Sequence, residues 1–520
     1  MVASSQPLAS MTGIEILKKG GNAADAAVAT AAALNVTEPT STGIGGDCFC
    51  LFFDASSKKV EGINGSGRAP SGLTLEYLES IGITGSLPPF SVHTVTVPGA
   101  AAGWVDTIER LGTMTLEEVL APAIDLGEKG FPVSPITARA WERGIPQLKN
   151  GPHYDELLIE GRAPRAGEIM KNKNLSETFR KLAEQGKSGF YEGKIAEEIV
   201  RVLSDMGGTM TLEDLKNHNS TFPDPIKTNY KGLDVYEIPP NGQGITALLA
   251  LNIVEEYDFT GIEHGSSRHL HILIEAMRLA FSDTRWYVAD PNVVDVPINQ
   301  LLSKDYASER RKLLDHEKAS VDVVKGSPAA ASDTVYFCVV DKEGNACSFI
   351  NSNYRGFGTG IIPEGTGFTL QNRGANFSLD PEHPNRLQPD KRPYHTIIPG
   401  MALKAGELFA PFGVMGGFMQ PQGHLQVIVN MIDYGMNPQH ALDAPRFCIL
   451  DGRSGGKVYL EKPISIDTMS QLATMGHDVV PVSGSRRIIF GKGQIINRNP
   501  DTGVLTAGSD PRSDGCAIGW

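Results

Sequence analysis

Between Thr334 and Val340 the chain reads Thr-Val-Tyr-Phe-Cys-Val-Val, with no charged side chain and nearly every position β-branched, aromatic or small and apolar. A run of that kind, with no alternation to polar residues, predicts a strand buried on both faces. Asp341-Lys342-Glu343-Gly344-Asn345 then carries turn chemistry, and a second apolar run follows from Ala346 to Ile350. The pair reads as a hairpin, with Gly344 able to supply a positive φ. Elsewhere the period changes. Met11 to Lys19 has helical spacing and stops at Gly20-Gly21. Asn22 to Leu34 is an alanine-rich helix that Asn22 or Asp25 is placed to cap, and so much alanine suits close packing on a sheet or another helix. Ile245 to Glu255 and Leu425 to Met431 read as apolar helices, His269 to Tyr287 as a long helix, and Cys48 to Phe53 as a further strand.

Composition narrows the classes. Of 520 residues 41% are hydrophobic and 21% charged, and no apolar run is long enough to span a bilayer. The chain therefore reads as globular, with ample core and no membrane partner. The 47 basic and 60 acidic residues leave a net charge of -13 with no long block of one sign. That balance disfavours nucleic acid and favours a small-molecule or peptide substrate. Cys48, Cys50, Cys338, Cys347, Cys448 and Cys516 are scattered without a C-x-x-C spacing and read as reduced core thiols. His264, His269 and His271 match no ligand spacing and have no paired carboxylate, so neither a metal nor another cofactor is expected. Met1 to Pro7 has no basic patch or apolar segment, so no signal peptide is read and a cytoplasmic location is the expectation.

Three stretches are candidates for chemistry. Ser332-Asp333-Thr334 sets a hydroxyl at the head of the buried strand, just after the small, breaker-rich loop Gly326 to Ala331. Such a loop is exposed and open to cleavage. The polar segment Asp315 to Ala331 is also the best boundary in the chain. Thr42-Gly43-Ile44-Gly45-Gly46-Asp47 is glycine-rich, but it precedes a strand rather than a helix and lacks the Lys-Ser/Thr of a phosphate loop. Gly413 to Gly417 lies at a strand-to-helix turn, where successive backbone N–H groups can hold an oxyanion.

These motifs occur in order along essentially the whole chain: Gly-Gly-Asn-Ala-x-Asp-Ala-Ala at 20–27, Gly43 to Gly46, Asp333-Thr334 through Gly358, Gly416-Gly417, and Gly508 to Gly515. In this the chain resembles the γ-glutamyltranspeptidase family, self-processing N-terminal nucleophile hydrolases. The resemblance implies an α+β fold, a four-layer αββα sandwich. It also implies cleavage between Asp333 and Thr334, with 1–333 as the large part, 334–520 as the small part, and both forming one structural unit that stays associated. A freed N-terminal threonine carries a hydroxyl nucleophile and, in its own α-amine, the base that activates it. Relatives carry further residues, a signal or an anchor ahead of the motif that opens here at Met1.

Residue by residue, Thr334 matches the nucleophile, Ser352 the hydroxyl beside its amine, and Gly416 and Gly417 the oxyanion pair. The substrate positions depart from the pattern. The arginine expected ahead of Ala69-Pro70 falls at Ser66, with Arg68 two positions on. The aspartate for an α-ammonium falls at Asn376, an asparagine at Tyr354, and an amide or acidic residue at Arg373. A serine pair falls at His395-Thr396. Asp47 and Glu364 are the acids in matching motifs to check first as a substitute for the lost ammonium partner. This pattern is closer to the acylase-like branch, which includes cephalosporin acylases and oxamate hydrolases. The expected activity is amide hydrolysis or acyl transfer through a threonyl acyl-enzyme. The donor is γ-glutamyl, as in glutathione, or a non-glutamyl acyl amide. A non-catalytic scaffold of the same fold is the alternative from another class. The number of protomers stays open, and a homo-oligomer is allowed.

Overall fold

The computed structural model describes residues 1–320 and 334–520. The expected hairpin forms from Val335–Val340 and Ala346–Ser352, antiparallel, with Val335 opposite Asn351 and Val340 opposite Ala346. Gly344 takes φ +88°, and the Asp341 carboxylate accepts from both the backbone N–H and the side-chain amide of Asn345, each at 2.9 Å. Every residue of both strands is buried, because the hairpin sits in the middle of a sheet.

Numbered in chain order over the two large sheets, the first contains β1 (Val2–Ser4), β2 (Asp47–Asp54), β3 (Lys59–Gly65), β6 (Val335–Val340), β7 (Ala346–Ser352) and β12 (Cys516–Ile518). Their spatial order is β12-β1-β6-β7-β2-β3. The second contains β4 (Ile226–Tyr230), β5 (Leu233–Glu237), β8 (Gly400–Lys404), β9 (Glu407–Met415), β10 (Lys492–Arg498) and β11 (Leu505–Ser509), in the order β11-β10-β9-β8-β5-β4. Period-two geometry divides each strand between two cores. Phe49, Leu51 and Phe53 of β2 and Tyr336, Cys338 and Val340 of β6 meet Met401, Leu403, Met415 and Ile496 of the second sheet. The alternate residues Cys48, Cys50 and Phe52, with Val335, Phe337 and Val339, face a layer of helices. On the far side, Ala402, Ala410, Phe412 and Val414 face a second helical layer. The result is the expected αββα sandwich.

Five helices matter for the site. α1 (Pro7–Lys18) and α2 (Ala23–Thr37) cover the first sheet; α3 (Gly244–Val254), α4 (Ser267–Tyr287) and α5 (Met419–Ile432) cover the second. Both expected capping residues act on α2: Asn22 accepts from Ala24 N and Asp25 N, while Asp25 accepts from Asn22 N. All of α2 is buried, as its small side chains allow. The helix read from Leu425 in fact begins at Met419. Its first turns contain glutamines that look solvent-facing in sequence but are spent on neighbouring backbone: Gln420 accepts from Ile398 N at 2.9 Å, and Gln422 donates to Ile449 O at 3.0 Å. All six cysteines are free, and Cys50 Sγ lies 3.3 Å from Cys347 Sγ on the adjacent strand. Among the described residues no helix is long and apolar enough to cross a membrane.

The chain on either side of residues 321–333 supplies interleaved strands: β6 and β7 lie between β1 and β2. Buried polar contacts add to this, as in the Lys492–Glu38 ion pair at 2.7 Å and the Asp514 carboxylate accepting from Ile136 N and Thr137 N at 3.0 Å. A cut between Asp333 and Thr334 is therefore expected to leave both fragments in one particle. Native gel filtration followed by a denaturing gel should show two bands from a single peak; two separate peaks would contradict the shared core.

Candidate active site

Thr334 stands at the head of β6 with its side chain fully buried. The antiparallel register brings it beside Ser352, the last residue of β7, and Thr334 Oγ1 lies 2.9 Å from Ser352 Oγ. Ser352 Oγ also accepts from Tyr354 N at 2.8 Å and from Arg373 Nη2 at 3.1 Å. The glycines of the Gly43–Gly46 loop allow this crossing: a Cβ on Gly46 would stand 2.3 Å from Ser352 O. Asn351 holds the same loop, donating to Thr42 Oγ1 at 2.9 Å and to Gly43 O at 3.1 Å. Asp333 lies outside the described residues.

Arg373 is the hub. It is fully buried, its Nη1 donates to Thr396 Oγ1 at 2.6 Å, and its guanidinium lies 4.5 Å from the centroid of the Tyr354 ring. Its Nε has no hydrogen-bond partner among the described residues. Burial pushes the guanidinium down to about 10, against the opposing charge of Asp47, so it remains a cation at neutral pH. Tyr354 reaches this position from a left-handed backbone, φ +77°, which a bulky residue adopts only where its surroundings hold it.

Asp47, one of the two acids considered as an ammonium partner, is already engaged at both oxygens. Its Oδ1 accepts from Gly67 N and Gln371 Nε2 at 2.9 Å, and its Oδ2 accepts from His395 Nε2 at 2.9 Å. Burial works to raise the Asp47 pKa, but the hydrogen bond to His395, the charge of Arg373 and the Gln371 bond outweigh it and keep the carboxyl ionised. Burial, with Arg373 nearby, pushes His395 down to about 3, so its imidazole is neutral. His395 therefore positions Thr396 through the chain rather than offering a charge to substrate. Glu364, the other acid considered, is on the surface, paired with Arg201 at 2.7 Å.

The oxyanion candidates lie just beyond β9. Gly416 has φ +134° and Gly417 φ +58°, conformations that only glycine takes easily. Their carbonyls are bound by Met419 N at 3.0 Å and Gln420 N at 3.2 Å, while neither N–H donates to another atom among the described residues. Two adjacent backbone donors without acceptors suit a developing oxyanion. Gln243, just ahead of α3, ties this turn to the rest. Its Nε2 donates to Gly417 O at 2.8 Å and to Thr396 O at 2.7 Å, and its Oε1 accepts from Tyr394 at 3.0 Å. A continuous hydrogen-bonded path thus runs Thr334–Ser352–Arg373–Thr396–Gln243–Gly417.

Asn376 is oriented by Tyr354, whose hydroxyl donates to Asn376 Oδ1 at 2.8 Å, leaving Nδ2 buried without a partner. The site so presents donors: the Arg373 guanidinium, the Asn376 amide and the Thr396 hydroxyl. Arg68 does not join this group. Its charge bears instead on Arg392 and His218. Ser66 is spent on Asn64 Oδ1 at 2.7 Å.

Sequence reading missed Gln243, because nothing local says which carbonyls its amide meets. It also placed no carboxylate near the histidines, whereas His271, Glu275 and His477 come together in the outer helical layer. His271 Nε2 donates to Asp315 O at 2.7 Å, so its Nδ1 accepts from His477 Nε2 at 2.8 Å. That lone pair is already used within the protein.

Replacing Gln243 with leucine keeps the volume and cuts the path to the oxyanion turn. The expected effect on kcat/KM is a loss of about tenfold to a hundredfold, corresponding to about 1–3 kcal/mol for carbonyls left unpaired, carried mainly by kcat. Steady-state kinetics beside a thermal melt test this; unchanged kcat would show that the oxyanion turn is held without Gln243.

Known proteins resemble this chain over nearly its whole length. The chain matches the Gamma-glutamyltranspeptidase family over residues 9–520. It is 40% identical to the glutathione hydrolase-like YwrD proenzyme of Bacillus subtilis, covering 100% of this chain and 98% of that one. It is 33% identical to the oxamate amidohydrolase proenzyme of Klebsiella pneumoniae, again covering 100% and 98%. A crystal structure of cephalosporin acylase from Bacillus halodurans superposes with a TM-score of 0.93 at 46% identity, covering 100% of this chain and 95% of that one. With a matching fold and matches across its length, this chain belongs to the γ-glutamyltranspeptidase family of N-terminal nucleophile hydrolases and is an enzyme of the hydrolase type.

Proposed function

We propose that this chain is a self-processing amidohydrolase with Thr334 as nucleophile, and that its preferred donor is an acyl amide bearing a carboxylate but no α-ammonium. The observation that carries the donor assignment is Arg373, fully buried with no carboxylate within ion-pair distance among the described residues. A buried cation without a contacting anion is a ready partner for a substrate carboxylate. An ammonium finds no such partner, since Asn376 Oδ1 is taken by Tyr354 and the Asp47 oxygens are occupied. γ-Glutamyl donors are the second reading, favoured by the likeness to a glutathione hydrolase-like proenzyme.

In processing, the Thr334 hydroxyl attacks the Asp333 carbonyl carbon. The peptide C–N bond breaks, the nitrogen leaves as the Thr334 α-amine, and the resulting ester is hydrolysed by water to an Asp333 carboxylate and free Thr334. In turnover the α-amine takes the hydroxyl proton as Oγ1 attacks the substrate carbonyl. Gly416 and Gly417 N–H groups hold the oxyanion, and the protonated amine gives its proton to the leaving nitrogen. The acyl group remains on Oγ1 as an ester until water, or a second amine, removes it. The polar path through Ser352 and Arg373 fixes where the hydroxyl lies.

Three outcomes follow. Thr334→Ala should remain a full-length, inactive chain, and N-terminal sequencing of the wild-type small fragment should begin at Thr334; full activity in uncut protein would sink the mechanism. Glutaryl anilide should be a better donor than γ-glutamyl anilide, with Asn376→Asp shifting kcat/KM toward the γ-glutamyl donor by about tenfold, since a charge-assisted bond replaces a neutral one. A wild-type preference for γ-glutamyl of about a hundredfold (about 2.7 kcal/mol) would overturn the donor assignment. Activity should rise with pH as the α-amine loses its proton near about 7.7–8.0. It should fall again as Arg373, pushed down to about 10, becomes neutral and releases the carboxylate.

A further inference from the structure

In the trans peptide that joins Met415 to Gly416, the carbonyl and the N–H lie in one plane and point in opposite directions. Whatever fixes the Met415 oxygen therefore aims the Gly416 N–H. That oxygen is backed by Gly491, the residue just ahead of β10. A Cβ on Gly491 would stand 2.2 Å from Met415 O and 2.8 Å from Val414 Cγ1. Seen from the other strand, a Cβ on Gly416 would stand 3.3 Å from Gly491 Cα. The two backbones meet with no side chain between them. Gly491 also has φ +77°, so only glycine permits both the approach and the conformation. The ladder runs on from this contact, with Met415 opposite Lys492 and Val414 opposite Gly493.

Gly491 is held from both sides by one buried ion pair. On the near side, the Phe490 carbonyl accepts from Arg446 Nη1 at 2.9 Å, and the Phe490 ring packs in one cluster with Met419, the first residue of α5. Arg446 is buried, and its Nη2 pairs with Asp510 Oδ2 at 2.8 Å and donates to Leu442 O at 3.1 Å. On the far side, Asp510 Oδ2 accepts from Gly493 N at 2.8 Å, and Asp510 N donates to Gly493 O at 3.0 Å. The arginine thus grips Phe490 while the aspartate grips Gly493, with Gly491 between them. A buried pair of this kind is rigid, because moving either partner leaves a charge unmet. None of these residues belongs to the polar path from Thr334 to Gly417.

We propose that Gly491, set by the Arg446–Asp510 pair, is a positioning element for the oxyanion turn: it fixes the plane of the Met415–Gly416 peptide and so the direction of the Gly416 N–H. Neither Gly491 nor the ion pair touches substrate; all three act through Gly416. An N–H aimed at an oxyanion is worth most in the transition state and little to the bound amide, so a misaimed one is felt in kcat rather than KM. This deepens the hydrolase reading above and rests on it for the place where the oxyanion develops. It does not depend on which acyl donor is preferred.

The test compares processed wild type with Gly491→Ala and Arg446→Lys, on whichever of glutaryl anilide and γ-glutamyl anilide wild type turns over faster. Gly491→Ala should lose about tenfold to a hundredfold in kcat, less than outright removal of an oxyanion donor, with KM within about twofold. A boronic acid with the same acyl chain forms a tetrahedral adduct on the Thr334 hydroxyl, with a boron-bound oxygen in the oxyanion position. Its inhibition constant should rise by the same factor as kcat falls, while that of the product acid stays unchanged. Arg446→Lys keeps a cation beside Asp510 but cannot serve Asp510 and Phe490 together. It should lose about threefold to tenfold in kcat, and it is the readout if Gly491→Ala fails to fold or is not cut. Unchanged kcat in both variants, or a loss shared equally by kcat, KM and product-acid binding, overturns the positioning role. Unchanged kcat in Arg446→Lys alone overturns the part given to the ion pair and upholds Gly491. A wild type whose small fragment does not begin at Thr334 removes the hydrolase reading itself, which N-terminal sequencing reads separately from the kinetics.

Discussion

The site is organised by one guanidinium taken wholly out of water. Moving such a cation into a protein interior costs several kcal/mol unless its donors are met. Arg373 is met only in part: by the hydroxyls of Ser352 and Thr396, by the face of Tyr354, and at longer range by the charge of Asp47. Each compensating group is fixed in turn. Ser352 lies against Thr334, Thr396 is held by Gln243 through its carbonyl, and Asp47 is saturated by two backbone N–H groups, Gln371 and His395. Thr334, the proposed nucleophile, is therefore positioned by the same contacts that make the arginine tolerable. What remains unmet among the described residues is the Nε group.

The candidate site residues come from both sheets. Thr334 and Ser352 end neighbouring strands of the first, while Gly416 and Gly417 follow a strand of the second. Their relative position is thus decided by the apolar core between the sheets. Gly413 illustrates how tightly that core is drawn, since a Cβ there would stand 2.6 Å from the Tyr336 ring. A residue with any side chain at 413 must push the sheets apart or displace Tyr336, and so displace the strand that begins at Thr334. Gln243 provides the polar counterpart of this apolar contact, joining the oxyanion turn to the segment that holds Thr396.

Tyr354 lines, with Asn376, a cavity of about 480 Å³. Its hydroxyl fixes Asn376, its N–H donates to Ser352, and its ring carries a guanidinium on either count, Arg373 and Arg355. Three roles on one residue explain why the chain accepts a left-handed backbone there. In the family pattern that the chain resembles, an aspartate stands where this chain has Asn376. On the proposed reading, Asn376 in place of that acid, with the buried Arg373 beside Tyr354, favours a carboxylate over a zwitterion.

Much of this was legible in the sequence. The unbroken apolar run after Thr334 can only be a strand covered on both sides, and its turn residues make it a hairpin. The glycines at 416 and 417 mark a backbone that no other residue adopts cheaply. The order of motifs implied the sandwich. These are local properties, set by side-chain volume, branching and allowed φ. The sequence could not say that Asp47 was already spent, that Glu364 lay on the surface, that Arg68 stood apart beside Arg392, or that the amide of Gln243 bridges two distant carbonyls. A charged or amide side chain has no fixed role until its partners are known. Those partners here are contributed by segments tens to hundreds of residues away, brought together only when the two sheets close on each other.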